Sequence, residues 1–371
     1  MKSKTKVVLF FVIVVCIASY AFVKYKKSRD KDPYEMFGVF AKVYNIIIAR
    51  YVEPVNQEKL ILGAFRGGVQ SLNDNNSFVP ASIMEKIKDR FKLEGTVGIK
   101  VIKRGNYAQV AYCNPESEAF KEGIKPGTII RKINGMQAFN MSLFEINAML
   151  HGEPGQKVAI DYYSSDLSKD IEKQFEYKKY KPVDYLVEDM EGKKVFKLFD
   201  FNQNSFEGLK KYLKETDIPI VDLRYSISKN YASMADFAAY LTGKPVEVEE
   251  ITKQNSVKIT SKTNEKFEGK EVFILVSGLT MNAAEVFANL VKGSPHAVII
   301  GSKTSGSAFD YQTFKLESGD FVNIAVKKYA PLNEKGLLPD IKSFIDDDEV
   351  ISAVDKYLRE KKADGEKKKA A

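Results

Sequence analysis

Val276-Ser277-Gly278-Leu279-Thr280-Met281-Asn282-Ala283-Ala284-Glu285 decides how this chain folds. An apolar run meets a Gly-bearing turn and continues with helical spacing, so a strand turns sharply into a helix. Turns of this kind expose a side chain at a helix N-terminus, where main-chain N–H groups can stabilise an oxyanion.

The same alternation extends on both sides. Val195–Phe201, Ile218–Leu223, Val272–Val276 and Ala297–Gly301 read as strands. Ser205–Leu213, Ala232–Leu241 and Ala283–Val291 read as helices between them. Together they predict a layered α/β core over 179–358, closed by a helix over Glu349–Leu358. The tail 359–371 is Lys-rich and of low complexity, and is expected to be disordered.

Upstream, Tyr34–Tyr51, Glu58–Leu72 and Ala81–Phe91 carry helical spacing and form a small helical segment, 32–92. A polar turn, Leu72-Asn73-Asp74-Asn75-Asn76, interrupts it. Residues 93–178 are β-rich. They contain Gly123-Ile124-Lys125-Pro126-Gly127, Ile133-Asn134-Gly135, a short helix over Leu143–Leu150 and Gly152-Glu153-Pro154-Gly155.

The 371 residues, 44% of them hydrophobic, suffice for two or three domains. The formal charge of +8 is concentrated at the ends. Residues 1–31 carry eight Lys/Arg against one Asp, and 359–371 carry six against three acids. The stretch between them is close to neutral. Basic residues around the 17-residue apolar run Val7–Val23 point to a membrane rather than to nucleic acid. The length of the run favours an uncleaved signal anchor, with Ser19-Tyr20-Ala21 as the alternative, a cleavage site. The expected localisation is membrane-anchored, with the soluble part outside the cytoplasm, in a bacterial periplasm or at the cell exterior. Cys16 and Cys113 form no disulfide framework, and His151 and His296 sit in no metal-spaced cluster, so neither metal nor cofactor is expected.

The turn at Gly278–Glu285 resembles the nucleophile turn of the carboxy-terminal processing, or tail-specific, serine peptidases. The turns of 93–178 resemble a circularly permuted bacterial PDZ domain, with Thr128 where that family usually has Asp. The resemblance covers 34–358 and implies a crotonase-like α/β peptidase core. It also implies a Ser nucleophile and a Lys general base. In this chain those positions fall on Asn282 and Ser307, and the family's downstream glutamine falls on Tyr311 or Gln312. The family's Asp-Leu-Arg leads into an Asn-x-Gly-Gly turn. Here Asp222-Leu223-Arg224 leads into Tyr225-Ser226-Ile227-Ser228, without either glycine.

An asparagine cannot form an acyl-enzyme and a serine lacks the amine of a lysine base. The resemblance therefore implies a degenerate peptidase that acts as a scaffold or regulator. The alternative is an active serine endopeptidase with a rearranged site, using Thr280, Ser277 or Ser305 with Lys303. Asp222, Arg224 and Glu285 survive from the family pattern and read as structural. The PDZ resemblance implies capture of peptide or protein carboxy-termini by the N–H groups of Val97, Gly98 and Ile99. Leu143, Ile146 and Leu150 would form the apolar pocket. An active paralogue of the family is a further partner the resemblance offers.

Overall fold

The computed structural model describes residues 33–164, 167–333, 335–344 and 346–370. The apolar run Val7–Val23 lies outside them, and no helix among the described residues is long and apolar enough to cross a membrane. The chain divides into two compact units, 1–64 and 65–371.

In the first unit, α1 (Pro33–Arg50) is joined to the start of α2 (Gln57–Gln70) by the Tyr44 hydroxyl, which donates to Gln57 Oε1 at 3.0 Å.

The second unit takes in the end of α2 and continues with β1 (Ser77–Val79) and α3 (Ala81–Ile87). A module follows, built from β2 (Gly95–Thr96), β3 (Ile99–Arg104), β4 (Tyr107–Cys113), α4 (Glu118–Lys121), β5 (Ile129–Ile133) and β6 (Met136–Gln137). It continues through α5 (Leu143–Met149), β7 (His151–Gly152), β8 (Lys157–Ser164) and β9 (Lys169–Glu176). Its antiparallel sheet runs β3-β4-β5-β8-β9, which leaves β3 at an edge. A capping box starts α5: Ser142 accepts from the Glu145 N–H, and Glu145 accepts from the Ser142 N–H.

The core comprises β10 (Tyr185–Met190), β11 (Lys193–Leu198), α6 (Gln203–Glu215), β12 (Ile220–Asp222), α7 (Tyr231–Thr242), β13 (Glu247–Thr252) and β14 (Ser256–Thr260). It ends with β15 (Val272–Val276), α8 (Ala283–Val291), β16 (Ala297–Gly301), β17 (Phe309–Lys315), β18 (Phe321–Ala330), β19 (Ile341–Lys342) and α9 (Asp347–Ala370).

The main sheet runs β10-β11-β12-β15-β16-β19 and is parallel from β11 onward. Parallel strands buried on both faces need continuous apolar sequence, which β15 and β16 have. Val221, Val272, Ile274, Val276 and Ile299 face α7 and α8. Ile220, Phe273, Leu275, Val298 and Ile300 face Val350, Ile351 and Val354 of α9. A second, antiparallel sheet, β1-β18-β13-β14 with β17 on β18, pairs β1 with a strand more than 240 residues away.

The tail expected to be disordered instead extends α9 to Ala370. Its Ala, Glu and Lys are strong helix formers. Lys361 also ties the helix to Glu271 at 2.6 Å.

Candidate functional site

The turn after β15 has the sharpness its sequence predicts. Asn282 adopts φ 53° and ψ −130°, a backbone region that costs a non-glycine residue about 1–3 kcal/mol. Its surroundings hold it there. The Asn282 N–H donates to the Ser307 carbonyl at 2.7 Å, and its carboxamide donates to the Ile227 carbonyl at 3.2 Å.

The segment without the two glycines closes over the helix start. Met281 N–H donates to Ser226 O at 3.5 Å, and Ala283 N–H donates to Ser228 O at 2.9 Å. With the Asn282 carboxamide on Ile227 O, three successive carbonyls cover three successive residues of the turn. The Ala283 N–H, a main-chain donor at the helix start, is therefore already paired. The Ser228 hydroxyl donates to Asp200 and accepts from the N–H groups of Phe201 and Asn230.

Ser307 stands beside Asn282, held by Glu285 from the first turn of α8. Glu285 is wholly buried. It accepts from the Thr304 hydroxyl, from Gly306 N–H at 2.6 Å and from Ser307 N–H at 2.9 Å. Burial pushes its carboxyl above the ordinary range, against those hydrogen bonds. Thr304 in turn accepts from Leu337 N–H at 2.7 Å, which fixes the far side of the loop.

Of the two positions for the family's glutamine, Tyr311 reaches the site and Gln312 is exposed. The Tyr311 hydroxyl donates to Asn73 Oδ1 at 3.1 Å, and burial pushes its pKa up to about 12. Asn75 from the same polar turn lines the site and accepts from Lys103 N–H at 3.0 Å. Sequence reading missed this turn as a site element, because its partners lie far away in the chain. Its only local signal was the density of asparagines.

Two of the three hydroxyls expected for a rearranged dyad, Ser277 and Thr280, are bonded to main-chain groups, and Ser305 is half-buried. Ser277 donates to Arg224 O at 2.5 Å and accepts from Leu279 N–H. Thr280 donates to Leu223 O at 2.8 Å and accepts from Ser277 N–H. Both side chains are fully buried, and Lys303 is exposed. Asp222 and Arg224 form a buried ion pair at 2.7 Å, joined by Asp347 of α9 at 2.6 Å.

The module touches the turn directly. Ile102 and Ala111 bury against Leu279 and Met281. A groove of about 690 Å³ runs from β3 and α5 to Asn282, Ser307 and Tyr311. One wall is Leu143 and Asn147 of α5 with His151 of β7 beyond them, four residues apart in sequence.

This corrects the expected pocket. Ile146 and Leu150 are buried in the module's own core, so of the three residues expected only Leu143 lines the groove. Apolar spacing alone does not say which flank of a short helix faces the core. The expected donor loop is also partly satisfied internally. Val97 N–H donates to Leu150 O at 3.4 Å, and Gly98 N–H donates to the Thr96 hydroxyl at 3.2 Å. Gly98 has φ 81°, and a Cβ there would lie 2.5 Å from Ser117 Cβ, so only glycine fits. Ile99 and Gly98 both line the groove, whereas Val97 belongs to the core. His151 Nδ1–H donates to Asn147 O at 2.9 Å, and its ring contacts Phe91. Among the described residues no group of His, Cys, Asp and Glu could hold a metal ion.

The site is a strand-turn-helix on a layered core, with a β module on its flank. Peptidase family S41 matches residues 195–343, and the activating protease CtpB N-terminal domain matches residues 17–79. The carboxy-terminal-processing protease of Bartonella bacilliformis is 26% identical over 352 residues, covering 89% of this chain and 76% of its own. A probable CtpA-like serine protease of Staphylococcus saprophyticus is 23% identical over 354 residues, covering 90% of this chain and 71% of its own. Among solved structures, the photosystem II D1 C-terminal processing protease is similar in fold, with a TM-score of 0.59 and 19% identity over 82% of this chain and 92% of that one. The two family matches and the curated relatives together support the carboxy-terminal processing peptidase family.

Proposed function

We propose that this chain is a peptidase-family protein without peptidase activity, which binds peptide or protein carboxy-termini as a scaffold or regulator. The observation that carries the reading is the state of the turn. Its attacking position is Asn282, whose carboxamide is bound to Ile227 O, and the adjacent Ala283 N–H is bound to Ser228 O. A hydrolytic site needs a free nucleophile there and a free donor for the oxyanion. Ser307 offers no amine as base.

The module is read as a PDZ domain, its groove taking the end of an extended peptide along β3. The apolar segment Val7–Val23 tethers the chain to a membrane, with the rest outside the cytoplasm. An active relative of the same family is a fitting partner, because a shared fold offers matching surfaces.

The test is serine-directed fluorophosphonate labelling of the full chain, alongside degradation of an unfolded protein. Neither labelling nor turnover is expected. Stoichiometric labelling abolished by one Ser→Ala or Thr→Ala change would establish the active-endopeptidase reading instead. A peptide and its carboxamide twin, titrated in parallel, test carboxylate capture. Equal affinity for the two would refute it.

A further inference from the structure

β3 is the edge strand of the module's sheet, and the groove lies along its open side. An open edge offers main-chain donors and acceptors to an incoming strand. Here that side is occupied by a side chain. Asn147 Oδ1 accepts from Val101 N–H at 3.4 Å, and Asn147 Nδ2 donates to Val101 O at 3.4 Å. A side-chain carboxamide is chemically one peptide group. It meets both main-chain groups of a single residue, as the next strand of a sheet would. At the other end of the groove, the Thr96 hydroxyl accepts from Gly98 N–H at 3.2 Å, where a carboxylate oxygen would sit.

We infer that the groove is capped by its own side chains, and that Asn147 governs the addition of a peptide strand to β3. This rests on the reading of the groove as a peptide site. Both bonds to Val101 are longer than the usual 2.7–3.2 Å for N–H···O, so they are weak enough to be exchanged for a ligand's main chain. Asn147 is only half-buried, on the groove wall between Leu143 and His151, so its side chain has room to turn away. The cap protects the edge from unspecific pairing, and a ligand must offer better bonds than the carboxamide to enter.

The test is Asn147→Ala in the full chain, read in two ways. Amide hydrogen exchange is measured without ligand. Val101 N–H should exchange about tenfold faster in the variant, with Val110 and Ala111 of the adjoining strand unchanged. Equal exchange at Val101 would overturn the cap, and acceleration along the whole strand would reduce Asn147 to a merely structural role. A fluorescent peptide with a free carboxy-terminal valine is then titrated. The variant should bind it about three- to tenfold more tightly than the native chain, the worth of one or two weak hydrogen bonds. Binding that is equal or weaker in the variant overturns the inference but leaves the peptide site standing. Absence of binding to either protein refutes the peptide-site reading, whatever the exchange rates show.

Discussion

Replacing Glu285 should loosen the loop that carries Ser307, and by a calculable amount. Its carboxylate takes three donors: the Thr304 hydroxyl and the N–H groups of Gly306 and Ser307. Hydrogen bonds to a charged group are worth about 1.5–3 kcal/mol each. Gly306 and Ser307 are half-buried, so water can take over part of their loss, whereas Thr304 is buried. Glu285→Ala should therefore cost about 4 kcal/mol. Glu285→Gln keeps one acceptor oxygen but turns an N–H toward the Ser307 donor, for about 2 kcal/mol.

The pH dependence separates the two variants from a simple packing loss. Burial raises the Glu285 pKa above its ordinary 4.5, so the folded chain holds this proton to a higher pH than the unfolded chain does. The contribution to stability is then fullest below about 4.5 and declines as pH climbs through the raised folded value. The native chain should lose stability relative to Glu285→Gln over that window. Urea unfolding of native and variant chains at a series of pH values measures both effects. A cost below about 1 kcal/mol for Glu285→Ala would show that the carboxylate does not hold the loop.

Asn282→Ser combined with Ser307→Lys should show no turnover of an unfolded protein, because Ala283 N–H stays bound to Ser228 O. One missing oxyanion donor costs about 3–4 kcal/mol of transition-state stabilisation, and vigorous proteolysis by the double variant would contradict this. Gly301 has φ 130°, and a Cβ there would lie 2.0 Å from Val276 O, so Gly301→Ala should fail to fold, as circular dichroism would report. Lys103 donates to Phe139 O at 3.0 Å and Met141 O at 2.6 Å, while burial and then the nearby Arg66 push its pKa down to about 8. The unfolded chain thus binds the proton more strongly, and native stability should rise from pH 8 toward 10.5 by a step that Lys103→Met lacks. Melting temperatures of the two proteins at pH 7.5 and 10 would show it.

What the sequence made legible was local. β15, α8 and β16 begin and end where their apolar runs do, because both faces of the sheet are buried and the pattern has no ambiguity. The sharp turn at Asn282 could be read the same way, from one short stretch of sequence. Features that depend on distant partners were not legible. The role of Asn73 and Asn75 needs Tyr311 and Lys103, and the carbonyls of Ser226, Ile227 and Ser228 reveal their role only against Met281, Asn282 and Ala283. Leu143, Ile146 and Leu150 fit an apolar helix flank, yet the capping box and the module core rotate Ile146 and Leu150 inward and bring Asn147 to the groove.

The two ends of the β module meet. Thr96 N–H donates to Lys178 O at 2.9 Å, and Lys178 N–H returns a bond to Thr96 O at 3.0 Å. Everything between them is thus a closed excursion of the chain, which enters and leaves the module at one place. Such a cassette can be exchanged by recombination without re-routing the strands that flank it, since its entry and exit already coincide. The constraint on a replacement is the seat it must cover, Leu279 and Met281 on the turn and Met84 and Ile87 on α3. Any insert that filled those two seats would alter what the groove holds while the sheet bearing Asn282 kept its course.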